Sequence, residues 1–568
     1  MFFLAHLSAL ILLFEPVAGG INDAPLIDQD WGLHFHHLKS LEAFWRQDFS
    51  WYGYNPWFMA GYPSNTIQDL SIKLFEFLAI ALSTAALSSV QWLKILALLS
   101  AASVPWLMYL AARNFFYSSE SKNPIAATAA LLGTIYWWNS LPREMFFYGM
   151  IGFSAASYAA LWGVSLFYRL ATQAPSWGSI HAGFVVFALV ILPLHIQSPA
   201  IFLPPVIALI AAAPRVVTAR LTLTLGAATA VSLFANSPWL APAVAYRADD
   251  ISGQIVRQLP LFASSDPLTF VKDYLGPGGY WTFRPFVAEK GFRLALLLLG
   301  SLGIGQLIRS DKRDLGLLLA TASMFLFALA YFGALIPPID SWQPLRFKVP
   351  YDLFLAVGAS FGIGRWLDAP GTSRLRIVPV ALVLGLLMSL INILQTEAHG
   401  KLRLRSELSA DLNRIVDWIR QEAPTQGRVL FEESGDESGF VYDGVYLSSF
   451  VPYLTGRQLI GGPINLYNDR HHFAEFHSGR FFQKEIQTLS DQELRSYLRL
   501  YNIGAVVAFH PASLQRFRSM PGLVTVEQTV GPVHLLKIHQ PPTWFLEGEG
   551  AVKAGFNRLE LSDLRGKE

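Results

Sequence analysis

The chain has 568 residues, 52% of them hydrophobic and only 15% charged, and its mean hydropathy is +0.36, far from the roughly 25% charge of a soluble domain. Lys and Arg number 43 against 41 Asp and Glu, a net charge of +2, so no global field draws the chain to nucleic acid and charge is read loop by loop. The absence of cysteine excludes a disulfide framework, a thiolate nucleophile and a cysteine-built zinc site.

Eleven apolar stretches read as candidate spans, given about 20 residues for a crossing. In chain order they are Phe2–Val17, Val90–Ala112, Pro124–Trp138, Met150–Tyr168, Ala182–Leu194, Ala200–Ala213, Leu221–Ala235, Leu294–Ile308, Leu315–Leu335, Val349–Ile363 and Ile377–Leu394. Several are short, which predicts helices that tilt, stop part-way or pack among neighbours. The first ends in Val17-Ala18-Gly19, which suits a signal-peptidase site, but it lacks a basic flank and is read as a retained anchor. Pro193 to Pro199 reads as a hairpin within the membrane, capped by His195 and Gln197. The basic turns at Arg113 to Lys122, Arg169, Arg215 with Arg220, Arg309 to Arg313, and Arg365 with Arg374 and Arg376 fall on one side, the cytoplasmic one by the positive-inside rule. Leu70–Leu87 is apolar too, yet counting it as a crossing puts Arg113 outside, so it is expected to lie at the interface.

That topology places residues 20–70 and 236–290 in large external loops. The first loop opens with Leu26-Ile-Asp-Gln-Asp-Trp-Gly-Leu-His34-Phe-His-His37. Asp30, His34 and His37 are spaced i, i+4 and i+7 and share one face if the segment is helical. A carboxylate among imidazoles suits a general base or a cation ligand, and equally the polar face of an amphipathic helix. Trp51 to Trp57 and Gly61-Tyr62-Pro63 then crowd aromatics and turn formers where a loop would lie at headgroup depth.

The order Asp30-x3-His34, Trp57, Gly61-Tyr62-Pro63 and the partial helix Leu70–Leu87 resembles the start of GT-C type integral-membrane glycosyltransferases. The closest likeness is to the prokaryotic membrane proteins labelled pyruvoyl-tetrahydropterin-synthase-related. Val104 to Asn114, Ser237-Pro-Trp-Leu-Ala-Pro242 and Gln343-Pro-Leu-Arg346-Phe347 are similar to later elements of that superfamily. The resemblance implies transfer of a sugar from a polyprenyl-phosphate donor to a glycan, lipid or protein acceptor on the outer face. Asp30 is then the first choice for the base and Asp28 the second, and His34 and His37 both fit the histidine position. Arg346 and Lys348 suit the phosphate and equally suit snorkelling to headgroups, and Trp57, Tyr62, His195 and Gln197 are candidate substrate contacts, His195 also reading as a hydrogen-bonded structural histidine. Arg143-Glu144 falls where the superfamily often has a second acidic element. Glu144 stands there in place of the expected Asp, which weakens a two-carboxylate metal site and leaves a divalent cation open as cofactor. A transporter or flippase is the alternative, but no inverted repeat is evident and the ionisable residues gather on one face.

From about Gln395 the character changes. Ser406 to Gln421 reads as an amphipathic helix, and Arg428-Val-Leu-Phe431, Ala505-Val-Val-Ala508 and Val533 to Ile538 as strands. Ser490-Asp-Gln-Glu493 is a capping-box helix start. There is no Gly-rich phosphate loop and no G-x-S-x-G elbow. Asp469 to His477, rich in His, reads as a polar rim rather than a metal site, and the charged tail from Gly548 as loosely ordered. The expected fold is a polytopic all-α membrane protein of about eleven spans, GT-C-like, over residues 1–395. An extracytoplasmic α/β domain follows over 396–568, and the whole sits in the plasma membrane of a prokaryote.

Overall fold

The computed structural model describes residues 2–15, 17–66, 71–84, 86–139, 141–173, 176–247, 263–275, 287–337, 339–368, 391, 393–394, 397, 403–434, 441–463 and 476–566. The chain is mostly helical, with a sheet near its C-terminus. Its first fifteen helices are α1 (Phe2–Ile11), α2 (Asp30–Asp48), α3 (Lys73–Leu82), α4 (Ser89–Ala102), α5 (Val104–Phe115), α6 (Lys122–Asn139), α7 (Leu141–Phe147), α8 (Ile151–Gln173), α9 (Ser179–Leu194), α10 (Ser198–Ala212), α11 (Ala219–Ala245), α12 (Thr269–Leu275), α13 (Val287–Ile308), α14 (Arg313–Phe332) and α15 (Lys348–Asp368).

Ten of the eleven candidate stretches are helical, while Ile377–Leu394 lies almost wholly outside the described residues. Among those residues only three helices are long and apolar enough to cross a membrane, or four counting the bent pair α4–α5. By length and composition, then, three or four of the expected eleven crossings are supported. The first stretch is helical for only 10 residues, about 15 Å at 1.5 Å per residue. The bend of 44° between α4 and α5 has a covalent cause. Pro105 has no N–H to give the Ala101 carbonyl, and the His6 Nε2–H takes that place at 3.1 Å. The Trp138 indole fixes the His6 tautomer by donating to its Nδ1 at 3.0 Å.

The helix α11 runs ten residues past the expected loop start at Asn236, through Pro238 and Pro242. The carbonyl of Phe234, which Pro238 leaves without its helical donor, accepts the Ser237 hydroxyl at 2.7 Å, and Asn236 accepts from the Trp239 indole at 2.9 Å. The apolar helices α9 and α10 form the expected hairpin around His195. The helix α3 is only 10 residues long, with Leu78 and Leu82 exposed, too short to cross. Helices α13 and α15 pack backbone to backbone: a Cβ on Gly303 would fall 1.9 Å from the Gly358 carbonyl oxygen, the small-residue contact that lets helices associate in lipid.

In the C-terminal region, helices α16 (Ala410–Glu422), α17 (Asp491–Leu500) and α18 (Pro511–Arg518) flank a five-stranded sheet. Two short ribbon strands in the first loop, β1 (Gly53–Asn55) and β2 (Tyr62–Ser64), precede it. Its strands are β3 (Arg428–Phe431), β4 (Gln458–Ile460), β5 (Ile503–Ala508), β6 (Val524–Val530) and β7 (Val533–Ile538), in the order β6-β7-β5-β3-β4. The β3 pairings with β4 and β5 are parallel and those of β7 antiparallel. Ser490 and Glu493 make the expected capping box at α17. The tail expected to be loose is instead an antiparallel hairpin, β8 (Glu549–Gly555) with β9 (Arg558–Arg565), because Val552, Ala554, Leu559 and Leu561 alternate with charged residues. Asn557, at φ 52°, makes the tight turn.

The C-terminal region grips the first loop at several points. The Arg405 guanidinium and N–H both bond Asp28, at 2.8 and 2.7 Å. Gln29 donates to Gly444 at 3.1 Å, and Leu459 of β4 donates to the Trp57 carbonyl at 2.7 Å.

Candidate functional site

The site grows from the start of α2. Gln29 takes a left-handed φ of 48° that turns the chain so that Asp30 becomes the first residue of the helix, where a carboxylate meets the positive end of the helix dipole. The Asp30 N–H donates to the Tyr148 carbonyl at 3.1 Å. The Trp31 indole donates to the carbonyls of Phe146 and Phe147 at 3.2 Å each. The His34 Nε2–H donates to the Gly149 carbonyl at 2.6 Å. Thus the first turn of α2 docks on the link between α7 and α8. Only glycine fits there: Gly149 has φ 82°, and a Cβ would lie 2.7 Å from the Trp31 nitrogen and 2.9 Å from the Asp30 carbonyl carbon.

Arg346 reaches the same link. Gln343, at φ 56°, starts the short 3-10 turn Pro344–Phe347, which delivers a half-buried Arg346 whose Nη2 contacts the Met150 sulfur at 3.5 Å. Burial pushes this guanidinium down to about 10, and the Asp30 carboxylate acts against that shift. The group therefore stays charged at neutral pH, and the two oppositely charged side chains are within electrostatic reach of one another.

Other expected residues surround this pair. Glu144 and the buried Arg143 lie on α7. Burial raises the Tyr148 hydroxyl, Glu144 adds to the rise and Arg143 opposes it, so all three share one neighbourhood. His195 packs edge-on against Phe153 at 5.1 Å, and Phe153 in turn against Phe347 at 5.3 Å. Gln197 donates to the Trp342 carbonyl at 2.9 Å. Three buried acceptors around this rim, His34 Nδ1, Gln197 Oε1 and Gln343 Oε1, have no hydrogen-bond partner among the described residues.

The remaining expected residues sit elsewhere. Asp28 is buried under Arg405; burial raises its carboxyl and Arg405 pulls it back. His37 is buried beside His36, with ring centroids 5.1 Å apart. Tyr62 is buried, and its hydroxyl meets His36 Nε2 at 2.5 Å. Trp57 is half-buried and tied through its backbone to β4. Lys348 is engaged by Asp273 at 3.1 Å, so its ammonium is already neutralised where the sequence suggested a phosphate contact. Of the stretch Asp469 to His477, residues 469–475 lie outside the described residues. Among the described residues, no three His, Asp or Glu side chains converge in a way that could hold a metal ion.

The sequence reading missed the network that engages Lys348. Arg293 of α13 bonds Asp273 of α12 at 2.6 Å and Asp352 of α15 at 2.7 Å, while the Tyr331 hydroxyl donates to Asp273 at 2.6 Å. The signal was present as Asp352 inside the apolar stretch Val349–Ile363, where a carboxylate is costly and marks a specific partner.

No family model matches the chain, and no curated protein matches it by sequence. Solved structures do match in shape. ArnT from Cupriavidus metallidurans superposes with a TM-score of 0.54 in its apo state and 0.51 bound to undecaprenyl phosphate. The identities are 12% and 13%, over 94% of this chain and 97% of that one. The Archaeoglobus fulgidus oligosaccharyltransferase, tethered with an acceptor peptide containing the NVT sequon, gives 0.51 at 12% identity over 89% of this chain and 69% of its own. The arabinofuranosyltransferase AftD from Mycobacteria gives 0.50 at 14% identity over 97% and 42%. The chain shares the fold of these proteins. Within that fold, Asp30 and Arg346 are far apart in sequence and meet on one turn.

Proposed function

We propose that the chain is a membrane glycosyltransferase that moves a sugar from a polyprenyl-phosphate carrier to an acceptor hydroxyl on the outer face of a prokaryotic plasma membrane. The observation that carries this reading is the convergence of a carboxylate, Asp30, and a guanidinium, Arg346, on the link Tyr148–Met150. The partnerless acceptors on His34, Gln197 and Gln343 suit a ligand rich in hydroxyls. The likeness to ArnT, solved with undecaprenyl phosphate, and to an oligosaccharyltransferase solved with an acceptor peptide supports the same class of donor and acceptor. Within the fold, the motif order is nearest the pyruvoyl-tetrahydropterin-synthase-related membrane proteins.

In the reaction, Asp30 takes the proton from the acceptor hydroxyl as its oxygen bonds the anomeric carbon. The bond from that carbon to the phosphate oxygen breaks, and its electrons leave on the phosphate, whose added charge Arg346 holds. One carboxylate and a good leaving group suffice for direct displacement, which inverts the anomeric centre. His34, held by Gly149, orients the site. Arg143, Glu144, His195 and Gln197 contact the sugar or its carrier, and Lys348 positions the turn that bears Arg346. Residues 1–395 form the membrane part and 396–568 the external domain that covers it.

The test is mass spectrometry of lipid-linked sugars and surface glycans in a deletion strain complemented with the parent or with Asp30→Asn. The deletion and the variant should both accumulate the carrier-linked sugar and lose one surface modification. Unchanged lipid and glycan profiles in the deletion would refute the reading.

A further inference from the structure

Among the described residues, the hairpin β8–β9 pairs with no other strand. Its register sets Val552 opposite Leu561 and Ala554 opposite Leu559. A Cβ on Gly550 would meet the side chains of Leu564 and Phe545, each at 2.9 Å. One face is therefore Gly550, Val552, Ala554, Leu559, Leu561 and Leu564, and the other carries Lys553 opposite Glu560, with Arg558 beside them. The apolar face is open, with Leu559, Leu561 and Leu564 at 59%, 51% and 60% exposure. A lone two-stranded hairpin is marginal in water, and a bare leucine face makes it worse, so a cover is needed.

What covers it follows from where the tip is moored. Asn557 accepts from the Tyr54 N–H at 2.7 Å, donates back to the Tyr54 carbonyl at 3.0 Å and donates to Asp48 at 3.0 Å. Phe556 meets Phe44 edge-on at 5.3 Å. Gly53 leaves the room, since a Cβ there would fall 1.9 Å from Asn557 Oδ1. Two residues before Tyr54, the ring of Tyr52 meets that of Tyr246 at 6.2 Å, and Tyr246 caps the C-terminal end of the long apolar helix α11. Trp51 lies between Trp45 and Phe77 of α3, at 4.5 and 4.7 Å. Aromatic rings at the ends of spans gather at headgroup depth, so the hairpin is tethered at that depth.

We infer that the hairpin lies with its leucine face in the headgroup and acyl boundary of the bilayer, as an amphipathic β paddle that holds the C-terminal region against the membrane. This rests on the reading that α11 and its neighbours span a membrane. The hairpin carries Lys553, Arg558 and Arg565 against Glu549, Glu560 and Asp563, no net charge, so the contact is apolar and insensitive to salt.

The absence of cysteine makes the test direct, because each introduced cysteine takes a nitroxide at one site. Leu561→Cys reports the apolar face, Lys553→Cys the opposite face, and Phe234→Cys, on α11 at 84% exposure, the bilayer interior. In the full chain reconstituted into lipid nanodiscs, relaxation by oxygen, which partitions into lipid, is compared with relaxation by a water-soluble nickel chelate. The label at 561 should match that at 234, open to oxygen and shielded from nickel, while the label at 553 is open to nickel, at low and high salt alike. Nickel access at 561 equal to that at 553, with 234 still shielded, would overturn the paddle alone, and nickel access at 234 would overturn the membrane reading with it. Spin broadening at 561 that vanishes on dilution with unlabelled chain would assign the face to a second copy and also overturn the inference. If Leu561→Cys fails to fold, Leu559→Cys reads the same face.

Discussion

Asp28 and Asp30 are separated by one residue, and their surroundings give them different work. Asp28 is buried and held by two hydrogen bonds, from the Arg405 backbone N–H at 2.7 Å and from its guanidinium at 2.8 Å, which suits a tie between the first loop and the C-terminal region. Asp30 is half-buried at a helix start, within electrostatic reach of Arg346, which suits a base. Asp30→Asn should therefore lower sugar transfer about 10²–10⁴-fold, the usual effect of losing a general base, with membrane insertion and unfolding midpoint unchanged. Asp28→Asn should do the reverse, lowering the midpoint as hydrogen bonds to a charged group worth about 1.5–3 kcal/mol weaken, while the folded fraction turns over at the parent rate. Equal loss of turnover in both, measured per folded molecule in a membrane assay, would contradict this division. Gly149→Ala should also cut turnover, at least tenfold, because its Cβ would push the Asp30 backbone off the turn; a fully active alanine variant would show that the docking of α2 is not needed. The sequence exposed Asp30, His34 and Arg346 as candidates through their residue types and order. It could not expose Gly149, whose only distinction is the backbone of α2 arriving from a remote part of the chain.

Helices α12, α13, α14 and α15 are locked together by Asp273, Arg293, Tyr331, Asp352 and Lys348, two carboxylates balanced by two cations. The first turn of α15, which carries Lys348, directly follows the 3-10 turn that bears Arg346, so this lock fixes the angle at which Arg346 is presented. Removing one partner of a buried pair costs about 3–5 kcal/mol because the other charge is stranded, and Asp273→Asn should lower the unfolding midpoint accordingly. The pH dependence has a definite sign. Burial raises Asp273, but Arg293 and Lys348 outweigh it and hold the carboxyl well below its ordinary range. A depressed carboxylate contributes its stability above the unfolded value, about pH 3.9, and loses it only as pH falls through the lower folded value. The midpoint gap between parent and Asp273→Asn in detergent should thus be the same at about pH 7 and about pH 5; a gap that fades across that interval would mean another group carries the effect. At this scale the sequence was legible where periodicity is strong, as in the α9–α10 hairpin and the capping box at Ser490. It misled where a side chain replaces a missing backbone donor, as the Ser237 hydroxyl does in carrying α11 past Pro238. It also misled where short alternation hid in a charged tail, as in β8–β9.

The molecule as a whole joins an apolar helical part to a C-terminal sheet through contacts that include a set on the first loop: Arg405 on Asp28, Gly444 on Gln29, Leu459 on Trp57 and Asn557 on Tyr54. Since Asp30 starts the helix that these contacts surround, the sheet and Asp30 must lie on the same side of the membrane. The Lys and Arg distribution predicts which side, because the turns Arg113 to Lys122 and Arg309 to Arg313 concentrate cations and such turns tend to stay cytoplasmic. Lys312 of the second turn donates to Ser118 of the first at 2.8 Å, so the two turns meet and must share a side, whatever the number of crossings between them. The prediction is that single cysteines placed at Ser118 and Lys312 react with a membrane-impermeant maleimide only after the cells are opened. Cysteines at Gln515 and Glu527 on the C-terminal sheet region should react in intact cells or spheroplasts. Labelling of all four in intact cells, or of none, would show that the basic turns and the sheet lie on one side, and the catalytic reading would fail with it, because Asp30 would then face the wrong compartment for a donor presented on the outer leaflet.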